Sequence, residues 1–160
     1  AENASMPFFS PPEGNLGIGS FVKDFSEVNV AAGELEVKRL DDLTGTLGLE
    51  KLDFIKLDVE GFEKDTLTGS REALKKFRPV VLFESSIRLE NSMHSVHEIQ
   101  GLFPADYRFY RFTHRGKRRH GKYLLVPLTQ DLMEQKTELT ILAAPVERDV
   151  PMASENWIAL

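Results

Sequence analysis

Two apolar runs dominate the hydrophobic pattern of this chain: LDFIKLDV, ending at Val59, and PVVLFES, ending at Ser85. Both are mainly continuous rather than alternating, which is the pattern of strands buried on both faces of a parallel sheet. Between them lie two helical pieces. GFEKDTLTGS is stopped by Gly69, and SREALKKF ends before Pro79, because the residue preceding a proline is pushed out of helical geometry. Upstream, ASMPFFS alternates loosely and predicts a short strand. GELEVKRL puts Leu35, Val37 and Arg39 on one face and Glu36, Lys38 and Leu40 on the other, as a half-exposed strand would. DDLTGTLGLE predicts a short helix with Asp41 or Asp42 near its start. Downstream, ENSMHSVHEIQGLF predicts a helix with Met93, Val96 and Ile99 turned inward. YRFYRFT predicts a strand, HRGKRRHGK a basic loop, and ELTILAA a final strand. The order is strand, helix, strand, helix, strand, loop, strand. That is α/β, with at least two parallel strands joined by helical crossovers.

Composition narrows the class. The chain has 160 residues, 41% of them hydrophobic and 28% charged, which suits one soluble domain with a core of its own. Its formal net charge of −5 argues against a nucleic-acid partner, which favours a basic surface. The absence of cysteine excludes disulfides and thiolate metal sites and is compatible with a reducing, cytoplasmic setting. No apolar run approaches the roughly 18 residues of a membrane helix, so no membrane partner is expected. The chain starts at AENASMPFF without an initiator Met, as a fragment of a longer protein would.

The candidate chemistry lies where the apolar runs stop. In α/β sheets, ligands bind beyond the carboxyl ends of the strands. Asp58 and Glu60 stand at one such end, and Glu84 closes the next parallel strand on the same edge. Lys56 and Asp58 share a strand face about 6.6 Å apart, and Gly61 allows a sharp turn into the following helix. Clustered carboxylates resist simultaneous ionisation, which raises one pKa toward a general-base value; the Lys56 ammonium opposes that rise. An alternative for Asp58 and Glu60 is capping of the helix that begins near Phe62. A salt bridge is the alternative for Lys56, and an exposed strand end for Glu84.

Taken together, Leu40-Asp41-Asp42-Leu43, FIKLDVEGFEKDTLTGS and PVVLFE resemble the second half of an FkbM-type methyltransferase. YRFYRFTHRG and LTILAAP resemble that family's closing strand pair. The resemblance implies a partial domain over residues 1–146 with a tail over 147–160. It implies the C-terminal part of a class I, Rossmann-like, mainly parallel sheet with an antiparallel final strand. It further implies S-adenosylmethionine as cofactor and a hydroxyl on a small molecule or glycan as acceptor. Asp58, Glu60 and Glu84 become the candidate catalytic residues. Gly17, Ser20 and Asp58 become candidates for cofactor binding, and Lys56 and Gly61 for substrate binding. Gly17 to Ser20 is read as the turn after the family's third strand. The Gly-rich turn after the first strand, and the acid that ends the second, have no counterpart here. The isolated chain is therefore expected to be inactive and to self-associate through an exposed strand edge.

Two further classes stay open: a truncated half-domain serving as an interaction module, and a carboxylate-metal hydrolase using Asp58 and Glu60. The metal-free reading is preferred. His94-x-x-His97 with Glu98 fits no zinc-protease spacing and reads as an exposed helix face. The loop holding His114, Arg115, Lys117, Arg118, Arg119, His120 and Lys122 reads as a solvated hairpin rather than a phosphate site. Trp157 reads as a tail residue.

Overall fold

The structure, a computed structural model, describes residues 3–11, 19–23, 25–86, 92–115, 122–134 and 138–148. Strands β1 (Ala4–Ser10) and β2 (Val30–Val37) form an antiparallel pair that stands apart as its own small sheet. Helix α1 (Leu40–Thr46) leads to β3 (Phe54–Leu57), followed by α2 (Glu63–Thr68), α3 (Arg71–Phe77) and β4 (Val80–Ser86). Helix α4 (Val96–Gln100), β5 (Tyr107–Arg115), β6 (Lys122–Pro127), α5 (Gln130–Glu134) and β7 (Glu138–Pro145) complete the second sheet, and a 3-10 turn spans Val146–Arg148.

That sheet has the order β3-β4-β7-β5-β6. β3 and β4 are parallel, while β7 is antiparallel to both β4 and β5. β4 and β5 therefore run the same way, with the last strand inserted between them. The α/β class and the antiparallel final strand agree with expectation. The mainly parallel sheet needs correcting: three strands share a direction, yet β3–β4 is the one parallel pair among the described strands, because β7 and β6 reverse every later junction.

The core lies on one face. Leu67 of α2, Leu74 of α3, Ile99 of α4 and Met133 of α5 pack with Val81, Phe83, Ile141 and Ala143 in one cluster. Strand alternation sends Val81, Phe83 and Ser85 toward these helices and turns Glu84 to the opposite, exposed side. Phe103 ties the layers together, with its ring centroid 5.9 Å from that of Phe83 and 5.2 Å from those of Tyr107 and Phe109.

Three expected elements differ from the sequence reading. β3 is short, lies at the sheet edge and is covered on one face, so Phe54, on the face opposite Ile55 and Leu57, is 52% exposed rather than buried. The helix expected over residues 90–103 begins only at Val96, where the Ser95 hydroxyl caps it by accepting Glu98 N–H. Met93 is still buried, but outside the helix. KYLLVP, not recognised as an element from the pattern, forms β6 and pairs with β5.

Candidate active site

The register Leu57↔Phe83 ends the β3–β4 ladder. One residue further on, Asp58 and Glu84 reach the same level of two neighbouring parallel strands, which lie about 4.8 Å apart. The expected shared edge is present. Lys56 Nζ donates to Asp58 Oδ2 at 2.5 Å, and both side chains face solvent. That bond, followed by the electrostatic pull of Asp58, Glu84 and Glu60, raises the Lys56 pKa. Burial raises the Glu60 pKa, with further pressure from the negative charge of Asp58, Glu84, Glu63 and Glu138. Glu84 is raised as well, although its side chain is largely exposed, by partial loss of hydration first and then Asp58, while Lys56 acts against the shift. Glu138, at the start of β7 and paired with Ser86, thus belongs to the same negative field. Sequence reading missed it because the β4–β7 pairing is invisible in the local pattern.

The chain leaves β3 through a strained turn. Glu60 has φ 50° and Gly61 φ 94°. Gly61 accepts this geometry freely; for Glu60 it costs about 1 kcal/mol. Neither Asp58 nor Glu60 caps α2, whose N-cap, Phe62, has no side-chain capping bond. The carboxylate that does bind backbone here is Glu63, a residue that sequence reading passed over. Its Oε1 accepts Val59 N–H at 3.2 Å and its Oε2 accepts Gly61 N–H at 3.1 Å, in a side chain that is almost fully buried. An acid in the first turn of a helix ordinarily reads as a dipole partner, which hides this role.

Ser20 is also at the turn. Its hydroxyl donates to the Glu60 carbonyl at 2.6 Å and accepts Val22 N–H at 2.9 Å. Its backbone bridges to Phe9 in both directions at 2.9 Å. Phe21 then packs between Phe8 and Phe62, with centroids 5.2 and 5.4 Å away. Gly17 lies outside the described residues.

On the other face of β3, an apolar cavity of about 600 Å³ opens between the β1–β2 pair, α1 and α2, lined by Met6, Phe21, Leu43, Ile55, Leu57 and Phe62 among others. None of Asp58, Glu60 or Glu84 lines it. Among the described residues, no three His, Asp or Glu side chains are grouped so as to hold a metal ion. Glu98 accepts His94 N–H at 2.6 Å, so it serves the start of α4. Residues 116–121 of the basic loop and Trp157 lie outside the described residues, while His114 and Arg115 sit in β5 and Lys122 in β6. No helix among the described residues is long and apolar enough to cross a membrane.

Residues 3–118 match the family model described as the methyltransferase FkbM domain. Among curated proteins, the chain is 35% identical over 71 residues to the 2-O-methyltransferase NoeI of Sinorhizobium fredii, covering 44% of this chain and 29% of that protein. It is 44% identical over 52 residues to the AMB antimetabolite synthetase AmbE of Pseudomonas aeruginosa, covering 32% of this chain and 2% of that protein. The aligned part thus spans under a third of either relative. No solved structure is a significant match.

Proposed function

Because this chain belongs to the FkbM methyltransferase family, we propose that it forms part of an S-adenosylmethionine-dependent enzyme that methylates a hydroxyl oxygen of a small molecule or sugar. The similarity to NoeI, a 2-O-methyltransferase, supports an oxygen acceptor. The observation that carries the reading is the convergence of Asp58, Glu60 and Glu84 at the ends of two adjacent parallel strands, with Glu60 and Glu84 both harder to ionise than usual. When bound, S-adenosylmethionine would supply a methyl carbon made electrophilic by its positively charged sulfur, a centre that takes the S–C electron pair as a neutral leaving group. The donor set suits such a cation, since Asp58, Glu60, Glu84 and Glu138 all add negative charge to the rim. Glu60 takes the proton of the acceptor hydroxyl, because its raised pKa brings it nearer the range of a general base. Asp58 and Glu84 orient the acceptor and favour positive charge beside it. Lys56, whose ammonium donates to Asp58, offsets part of that field and holds the Asp58 carboxylate in place.

The test is radiolabelled methyl transfer by the complete gene product, with Asp58→Asn, Glu60→Gln and Glu84→Gln measured beside wild type. Glu60→Gln is expected to lose at least about a hundredfold in turnover, the usual scale of a general base, with its melting temperature preserved. Wild-type turnover in all three variants would remove the carboxylates from the chemistry.

A further inference from the structure

The bonds around the strained turn converge on one peptide group. The unit joining Glu60 to Gly61 has its carbonyl oxygen held by the Ser20 hydroxyl at 2.6 Å and its amide N–H held by the Glu63 carboxylate at 3.1 Å. Both partners are buried, Ser20 at 1% exposure and Glu63 at 7%. They approach from opposite sides of the peptide, Ser20 from the distant segment after β1 and Glu63 from the first turn of α2, two residues on from Gly61. Rotating this peptide would break both bonds and leave a buried carboxylate and hydroxyl without them. The clamp is braced on each side. Glu63 also takes the Val59 amide, while Ser20 is fixed to Val22 and Phe9. The Phe8–Phe21–Phe62 ring contacts press the two segments together.

We propose that Ser20 and Glu63 are positioning residues that lock the Glu60–Gly61 peptide and so aim the Glu60 carboxylate across the rim toward Asp58 and Glu84. The inference rests on the catalytic reading of Glu60, but the clamp itself can be tested without it. Glu63 touches no acceptor. It acts through the backbone, with its carboxylate committed to the Val59 and Gly61 amides. Ser20, read from sequence as a cofactor contact, has its hydroxyl committed to the same peptide.

A stability cycle separates locking from ordinary packing. Wild type, Glu63→Gln, Glu60→Gly and the double variant are melted thermally. The glutamine side chain keeps the volume of Glu63 but offers one acceptor oxygen where the carboxylate offers two. A glycine in place of Glu60 adopts the left-handed backbone without strain and needs no lock. Glu63→Gln is expected to lower the melting temperature in wild type and to lose at least half of that effect in the Glu60→Gly background. An equal drop in both backgrounds overturns the clamp. If Glu63→Gln does not fold, Ser20→Ala opens the other side of the peptide and takes its place in the same cycle. In the complete gene product, Glu63→Gln is further expected to lower kcat about tenfold with KM for S-adenosylmethionine unchanged. A rise in KM at constant kcat would overturn the aiming role. A coupled cycle beside undiminished methyl transfer in Glu60→Gln would leave the clamp standing and remove the catalytic reading instead.

Discussion

Partial loss of hydration and the Asp58 carboxylate hold the Glu84 carboxyl above its ordinary range, while Lys56 pulls it back. A raised acid keeps its proton longer in the native state than in the unfolded chain. The stabilisation is full below the unfolded value, near pH 4.3, and is lost as pH rises through the higher native value. Glu84→Gln carries no such dependence. It should melt close to wild type at pH 4 and above it at pH 7, read by thermal melting across that range; a variant less stable at pH 7 would contradict this. Arg78 makes a different kind of compromise. It ends α3 in the left-handed region with φ 51°, a place usually given to glycine. Its guanidinium offsets the strain by bonding both oxygens of Asp106, at 3.1 and 2.6 Å, and also Glu147. Arg78→Gly and Arg78→Ala both lose those bonds, but only glycine relieves the backbone. The alanine variant should therefore be less stable by about 1 kcal/mol in urea titration. The acids at the rim are legible in the sequence because each interrupts an apolar run. The left-handed state of Glu60 is not, since nothing in DVEGF distinguishes a strained Glu followed by Gly from an ordinary helix entry.

Among the elements, α1 begins where the pattern puts it, yet one of its acids also serves a neighbouring helix. The sequence pattern puts Asp41 or Asp42 near the start of its own helix. Asp41 does stand in the first turn of α1, but its Oδ1 accepts the Ala73 amide at 2.8 Å in the first turn of α3, while its Oδ2 pairs with Arg39 at 2.8 Å. The Asp41 amide in turn donates to the Gly69 carbonyl at 3.1 Å. α3 thus borrows its cap from a neighbour, since Ser70 at its own N-cap makes no side-chain capping bond. Asp41→Ala should cost about 1 kcal/mol by chemical denaturation, the usual loss of a cap, and Asp42→Ala much less. Equal costs would show that α3 does not depend on this contact. β4, α2 and α3 are readable because Gly69 and Pro79 punctuate strong propensities. β6 is not, because KYLLVP follows a long basic stretch and shows no clean alternation. Phe54 departs from its expected burial because alternation puts it on the solvent face with Lys56, opposite Ile55 and Leu57, and which face is covered is set by the packed layers rather than by the run.

For the whole molecule, sheet order has a direct physical cost. β3 pairs with β4 alone among the described strands, so its other backbone edge is open, beside the exposed Phe54. Such an edge recruits strands from other chains. The 160-residue chain should associate with rising concentration in sedimentation velocity, and Phe54→Lys should suppress it; a wild-type chain that stays monomeric when concentrated would show the edge to be protected. Sheet order also sets a schedule. β7, the central strand, is the last of the five to be synthesised, and it fills the slot between β4 and β5. Until Glu138–Pro145 has left the ribosome, β4 and β5 flank an empty lane, and the parallel ends that bear Asp58 and Glu84 lack their support on one side. A growing chain can therefore hold the hairpin of β5 and β6 and the pair of β3 and β4 as separate halves. It becomes one sheet only when the last of its five strands slides between them, so the cooperative fold waits on a strand made after the other four.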